Sequence, residues 1–226
     1  MKTRGYGQYC GFSRALEVVG ERWSMLVIRD LLVGPKRFTD LHRGLPGIPT
    51  NILTARLKEL EEARIIRRRA LARPERSIVY ELTEYGAELE DVVICLGRWG
   101  AKQLGDPRPE EVVTVDSMIT AFKTTFQPKA AKGVHASYEL RMGDITLNIV
   151  VHDGRIEVGA GPLPDAKLKI EAGPAIKALL NRDMTPAQAI KSGAVGLTGN
   201  KKLLNTFVDL FKIDPMPVTD AEAAAS

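Results

Sequence analysis

Between residues 38 and 83 the spacing of apolar side chains switches from helical to alternating, and that switch limits what the chain can build. Residues 38–45 read as a short helix stopped by Pro46-Gly47, and residues 50–63 as a second helix. A basic strand over 65–71 follows, then the polar tip Ala72-Arg73-Pro74-Glu75-Arg76-Ser77 and a return strand over 78–82. Helix, turn, helix and two-stranded hairpin, in that order, predict a winged helix-turn-helix within an α+β chain. In that arrangement the second helix enters the major groove of duplex DNA, and the hairpin reaches the flanking backbone or minor groove.

The second helix carries two different faces. At about 100° per residue, Leu53, Leu57 and Leu60 form its buried stripe, with Thr50 placed as the N-cap. Asn51, Ala55 and Lys58 fall opposite, with Thr54 beside them and Arg56 on a flank. Asn can pair bidentately with adenine and an Ala methyl can pack on thymine, while Lys58 and Arg56 suit phosphates. An ordinary solvated face would look the same on this helix alone. The hairpin weighs against that reading. Arg64, Arg67, Arg68, Arg69, Arg73 and Arg76 crowd into thirteen residues, offset there only by Glu75. So much like charge calls for an anionic partner. The expected DNA-contacting set is Thr50, Asn51, Thr54, Ala55, Arg56, Lys58, Arg67, Arg69, Arg73 and Arg76.

The charge distribution agrees. Residues 1–104 hold 18 Lys and Arg against 13 Asp and Glu, a surplus of five, and residues 105–226 hold 14 against 15. A polyanionic partner therefore belongs to the first part of the chain. No run approaches a membrane span, and Met1-Lys2-Thr3-Arg4 leads into no signal-type apolar core. Two cysteines, Cys10 and Cys95, are too few for a disulfide scaffold and suggest a reducing cytoplasm. No paired-carboxylate motif, nucleophile elbow or phosphate loop marks an enzyme, and no cofactor or metal is expected.

Ahead of the central stretch, residues 12–33 read as one long apolar helix with Leu16, Val19, Trp23, Leu26 and Val27 on a shared face and Gly34-Pro35 as its stop. After it, residues 83–104 read as another long helix. There Tyr85, Leu89, Val92, Leu96 and Trp99 recur at spacings of four, three, four and three, a coiled-coil-like seam. That seam is expected to pair two subunits and present two recognition helices to a palindromic site; packing on the second half of the chain is the alternative.

Tyr9-Cys10, Gly20-Glu21-Arg22-Trp23, Leu31-Leu32-Val33-Gly34-Pro35-Lys36-Arg37-Phe38, Leu45-Pro46-Gly47-Ile48, Leu53-Thr54-Ala55-Arg56-Leu57-Lys58-Glu59-Leu60-Glu61, Val79-Tyr80-Glu81-Leu82-Thr83 and Trp99-Gly100 together resemble the HxlR family. The resemblance covers about residues 8–104 and implies a dimeric winged-helix transcriptional regulator of bacteria, related to the MarR group. It departs from the family at Tyr9-Cys10-Gly11, where Cys-Pro is common. Some members are thought to sense oxidants or electrophiles at this cysteine, so Cys10 is a redox candidate, with Arg14 near enough to favour the thiolate. A small buried filler is the competing role for Cys10, and packing is the role expected of Cys95.

Gly105-Asp106-Pro107-Arg108-Pro109 marks a break, so the expected division is 1–104, a linker over 105–114, a second domain over 115–212 and a loose tail over 213–226. A helix over 116–126 leads that second domain. Two-residue turns at Gly143-Asp144 and Asp153-Gly154 then fix two hairpin registers. The first pairs Met142 with Ile145, Leu140 with Leu147, Tyr138 with Ile149 and Ala136 with Val151. The second pairs Val151 with Ile156, Ile149 with Val158 and Leu147 with Ala160. A fourth strand spans 166–171. Glu139, Arg141, Asn148, Glu157, Lys167 and Lys169 share the polar side, expected to face water or a subunit. Helices over 174–180, 186–192 and 200–211, with a short strand over 195–198, are expected to cover the apolar side.

Asp165-Ala166-Lys167-Leu168-Lys169-Ile170, Ala175-Ile176-Lys177-Ala178-Leu179-Leu180, Ala189-Ile190-Lys191-Ser192-Gly193 and Val195-Gly196-Leu197-Thr198-Gly199-Asn200 resemble the sterol carrier protein fold. That resemblance implies a mostly antiparallel sheet covered on one face by helices. It also implies an apolar ligand or lipid between them, lined by Leu147, Ile149, Val158, Leu168, Ile176, Leu179, Leu180, Leu197, Leu204, Phe207 and Phe211. The same residues would serve as a plain core. The first hairpin register also sets His135 opposite His152, where two imidazoles could share a metal or simply be solvated. The sequence thus points to a dimeric DNA-binding regulator, modulated by an apolar molecule or by a Cys10 thiol switch. A lipid carrier is the competitor of another class.

Overall fold

A computed structural model describes residues 5–72, 74, 76–173 and 175–213. Two compact units divide the chain, 1–93 and 94–226. No helix among the described residues is long and apolar enough to cross a membrane.

The first unit is built on helices. The stretch expected as one long helix is two: α1 (Gly11–Val19) and α2 (Ser24–Val33). The break is written at Gly20, where an added Cβ would lie 2.4 Å from the Leu16 carbonyl oxygen, and at Trp23, whose φ of 81° takes the backbone out of the right-handed helical region. Redirected by this turn, α2 sinks Val27, Ile28 and Leu31 into the core and leaves Leu26 exposed, against the face predicted for it. Leu41 and Leu45 of α3 (Phe38–Gly44) and its following turn join that core, as do Leu53, Leu57 and Leu60 of α4 (Thr50–Glu62).

Strands β1 (Ile66–Ala70) and β2 (Ile78–Leu82) form the antiparallel hairpin, with Arg67 opposite Glu81 and Arg69 opposite Val79. Lys36 adds a short third rung by exchanging backbone hydrogen bonds with Tyr80 at 2.9 and 2.7 Å. The helix expected over 83–104 is also divided, into α5 (Glu84–Ala87) and α6 (Glu90–Ala101). Thr83 caps α5, accepting from Gly86 N at 3.0 Å and donating to Arg64 O at 2.6 Å. Gly86 must be a glycine here, because a Cβ would sit 2.0 Å from Ile65 O.

In the second unit a five-stranded sheet runs in the order β5-β4-β3-β6-β7. The hairpin registers of β3 (His135–Met142), β4 (Ile145–His152) and β5 (Arg155–Ala160) are those read from the two-residue turns, pair for pair. Strand β6 (Leu168–Ala172) runs parallel to β3 and antiparallel to β7 (Val195–Gly199). Helices α7 (Val115–Thr125), α8 (Ala175–Leu180), α9 (Pro186–Lys191) and α10 (Leu203–Leu210) complete the unit. Ile119, Phe122, Ile176, Leu179, Leu204 and Phe207 are buried on them. Thr185 caps α9 by accepting from Gln188 N at 3.2 Å.

One residue of the sheet's polar side is buried. Glu139 is fully buried, accepting from Leu163 N at 2.8 Å and from Arg141 Nε at 2.8 Å, with Lys169 Nζ at 3.5 Å. The segment around Leu163 lies over this position and supplies the backbone donor. Burial pushes the Glu139 carboxyl up, but the Leu163 N–H, the Arg141 guanidinium and the Lys169 ammonium outweigh it and hold the group below its ordinary value.

Candidate nucleic-acid interface

Helix α4 turns its leucines inward and leaves Asn51, Thr54 and Lys58 exposed, with Ala55 half-buried between them. Thr50 is exposed but is the first helical residue, not the cap: Pro49 holds the N-cap position, with its φ fixed by the ring, and has no side chain to bond with. Thr54 instead donates its hydroxyl to Thr50 O at 2.8 Å. Lys58 has only a long, exposed pairing with Glu62 at 3.8 Å.

Arg56 does not stand ready for a phosphate as expected. Its side chain is 13% exposed and its Nη1 lies 2.8 Å from Glu59 and 3.4 Å from Glu21, folded beside the turn that breaks α1 from α2. Together with Trp23, Pro49 and Ile52 it lines a cleft of about 360 Å³.

The hairpin arginines are exposed yet paired. Arg67 and Arg69, on one face, both donate from Nε to Glu81, at 2.8 and 2.7 Å. Arg68, on the other face, donates to Glu61 at 2.9 Å. Glu75 is therefore not the sole counter-charge, and these acidic partners were missed. Glu81 was legible, since it faces Arg67 across a register that the hairpin length fixes; Glu61 comes from α4 and was not. Arg68 rises above its ordinary value beside Glu61, while Glu81 is held below its own by Arg69 and then Arg67. Arg76 is exposed with a φ of 35°, and Arg64 is exposed at the end of α4 with a φ of 61°. Arg73 lies outside the described residues.

Four of the five seam residues are exposed: Tyr85, Val92, Leu96 and Trp99. Leu89 differs, packing against the core of the first unit. The opposite side of α6 is occupied, with Arg98 Nε donating to Thr124 O at 3.1 Å and Gly97 so close to α7 that a Cβ would meet the Thr124 methyl at 2.7 Å. Cys95 is exposed, not packed as expected.

Cys10 is exposed at the N-cap of α1. The N–H groups of Ser13 and then Phe12 hold its thiol below the ordinary value, though neither makes a full capping bond. Arg14, expected to favour the thiolate, is engaged with Glu17 at 2.7 Å.

The residues expected to line an apolar pocket sit as core. Leu147, Ile149, Leu168, Leu179, Leu204, Phe207 and Phe211 are fully buried, Ile176 and Leu180 nearly so, and Val158 and Leu197 half-buried. The Phe207 ring centre lies 5.1 Å from that of Tyr138 and 4.8 Å from that of Phe211, distances of direct packing. None of these residues lines the clefts of the first unit beside Arg56 and beside Leu89.

The HxlR-like helix-turn-helix profile matches residues 18–107. The HTH-type transcriptional regulator YodB of Bacillus subtilis (strain 168) is 38% identical over 93 residues, which cover 41% of this chain and 82% of YodB. The chain belongs to the HxlR-like family. Another relative, the HTH-type transcriptional regulator Rv3095 of Mycobacterium tuberculosis, is 41% identical over 97 residues, 43% of this chain, and the chain spans 60% of that relative's length. Among solved structures, the redox regulator HypR in its oxidized form is 32% identical with a TM-score of 0.40, covering 43% of this chain and 100% of HypR. The HxlR-like match ends at residue 107, so the five-stranded sheet, which begins at His135, lies beyond it.

Proposed function

We propose that the chain is a transcriptional regulator that binds palindromic duplex DNA as a dimer. Residues 1–104 serve DNA binding and dimerisation, 105–114 are the linker, and 115–212 are a regulatory domain. The observation that carries the reading is the pairing of α4, which presents Asn51, Thr54 and Lys58 to solvent, with a hairpin carrying exposed Arg67, Arg68 and Arg69. An amide and small side chains offer base readout while the guanidinium groups reach phosphates. Selection from a pool of genomic fragments should recover an inverted repeat with half-sites about one helical turn apart. Recovery of no preferred sequence at low salt refutes it, and is the result a lipid carrier would give.

A second reading, favoured by the lowered and exposed thiol of Cys10, is that the regulator answers electrophiles or peroxide. The thiolate adds to an electrophilic carbon, or a peroxide oxidises it to sulfenic acid and leaves as water or alcohol. Operator release on treatment, lost in Cys10→Ser, is the expected result; an undiminished response in that variant excludes it.

For the second unit, the reading as a sterol-carrier-like module rests on its five-stranded sheet with Phe207 of α10 packed on Tyr138 of β3 and on Phe122 of α7. With Phe207 and Phe211 packed as they are, an apolar ligand has to displace these rings to enter. Mass spectrometry of extracts from the purified protein tests this, and extracts that hold no stoichiometric apolar molecule count against it.

A further inference from the structure

On the polar side of the sheet, His135 of β3 and His152 of β4 face one another in register, and both are exposed. Asp153 N donates to Val134 O at 2.9 Å, so residues 134 and 153 stand at a hydrogen-bonded position of the ladder. The next pair along, His135 and His152, is then of the non-hydrogen-bonded type, where the two side chains of an antiparallel ladder come closest. Their ring centres are 4.3 Å apart at an interplanar angle of 86°.

That separation is informative about what could sit between them. A transition metal about 2.1 Å from one nitrogen of each imidazole lies about 3.2 Å from each ring centre. Two such rings at right angles about the metal have centres about 4.5 Å apart, and at the tetrahedral angle about 5.2 Å. The observed 4.3 Å lies nearer the separation of the right-angled arrangement, which square-planar and tetragonal ions adopt, than that of the tetrahedral one. The two strands fix the positions of both histidines, so capture needs only rotation about the broad terminal torsion of each ring.

We propose that His135 and His152 form a cis-bidentate site for a divalent ion of the Ni(II) or Cu(II) type, with water completing the coordination. Among the described residues no third His, Cys, Asp or Glu joins them to make a larger ligand group. Arg155 is in register with His152, and Lys167 Nζ donates to His135 O at 3.0 Å. Both neighbours are cationic, so the site gains its affinity from chelation and not from charge. It depends neither on DNA binding nor on Cys10.

Ni(II) is the probe, because it does not oxidise the two cysteines. Calorimetric titration of the full chain with Ni(II) should show one saturable site, with Zn(II) bound more weakly. His135→Gln and His152→Gln should each weaken Ni(II) binding at least tenfold, and the double variant should be little worse than either. The third histidine, His42, lies on α3, so His42→Gln should change nothing. Both target side chains are exposed, so circular dichroism should show these variants folded as the parent is. Undiminished Ni(II) binding in either single variant, or binding that depends on His42, overturns the assignment.

Discussion

Nε of Arg69 donates to Oε2 of Glu81 at 2.7 Å, although the hairpin register sets Arg69 opposite Val79 and not opposite Glu81. The other oxygen of Glu81 takes Nε of Arg67, from directly across the ladder, at 2.8 Å. One carboxylate, its side chain 13% exposed, therefore sets two guanidinium groups side by side through their Nε atoms. Exposed ion pairs of this kind are worth at most about 1 kcal/mol. A phosphate can compete for such arginines, and the pairing orders them before it arrives.

Removing one of those guanidinium groups tests whether it meets a phosphate. Arg69→Ala is expected to weaken binding of operator and unrelated duplex alike. The slope of log affinity against log salt should become shallower by about 0.9. Filter binding across a salt series reads both quantities. An unchanged slope means that Arg69 touches no phosphate.

Asn51 should behave in the opposite way. Exposed on the first turn of α4, it offers an amide for bidentate pairing with a base. Asn51→Ala is expected to cost about 1–3 kcal/mol of discrimination at one operator position while leaving the salt slope alone. Competition binding against single-base operator variants measures it.

The difference between what could and could not be read from the chain follows the distance over which each feature is decided. Both sheet hairpins were legible because a two-residue turn fixes every pair that follows it, down to His135 and His152. The breaks at Gly20 and Trp23 and between α5 and α6 were not, since the apolar spacing continues through residues whose backbone does not. Arg56 and Glu139 failed for another reason. Their partners include Glu21 and the Leu163 N–H, which lie far along the chain, and no periodicity brings such pairs together. The parallel pairing of β6 with β3 was hidden for the same cause.

Glu139 and Glu81 make stability depend on acid. Each carboxyl is held below its ordinary value of 4.5, Glu81 by Arg69 and then Arg67, Glu139 by donors that outweigh its burial. A depressed folded value means that the stabilisation is complete above the unfolded value and is lost as pH falls through the folded one. Stability against urea should therefore decline as pH falls below about 4.5. Glu139→Gln should be the less stable protein at pH 6, and its curve should approach the parent's as acid protonates Glu139. Parallel curves over the whole range would show that Glu139 does not couple to protons.

The packed interior of the second unit makes its own prediction. Phe207 is fully buried against Tyr138, Phe122 and Phe211. Phe207→Ala should destabilise the chain by about 3–5 kcal/mol, as truncation of a filled core does. A cost near 1 kcal/mol in denaturant unfolding would mean that the ring borders space that can already accept something else.

Four apolar side chains of the predicted seam stand largely uncovered among the described residues. Tyr85, Val92, Leu96 and Trp99 are 58%, 49%, 51% and 63% exposed, and the last three recur along α6 at the spacing of a helical seam. A contiguous apolar stripe on a helix is a feature that association covers, and a two-fold pairing would bury the same residues on both copies. Since Leu96 and Trp99 bear little on the packing of a single chain, changing them separates assembly from folding. Leu96→Asp with Trp99→Glu places like charges against each other across the proposed interface. Sedimentation equilibrium should then report a monomer where the parent is expected to report a dimer, with circular dichroism unchanged. Operator affinity should fall with it, because a monomer engages one half-site while single-site contacts through Asn51 and Arg69 persist. A double variant that stays dimeric places the interface elsewhere, and a parent that is monomeric at micromolar concentration removes the dimer from the proposal.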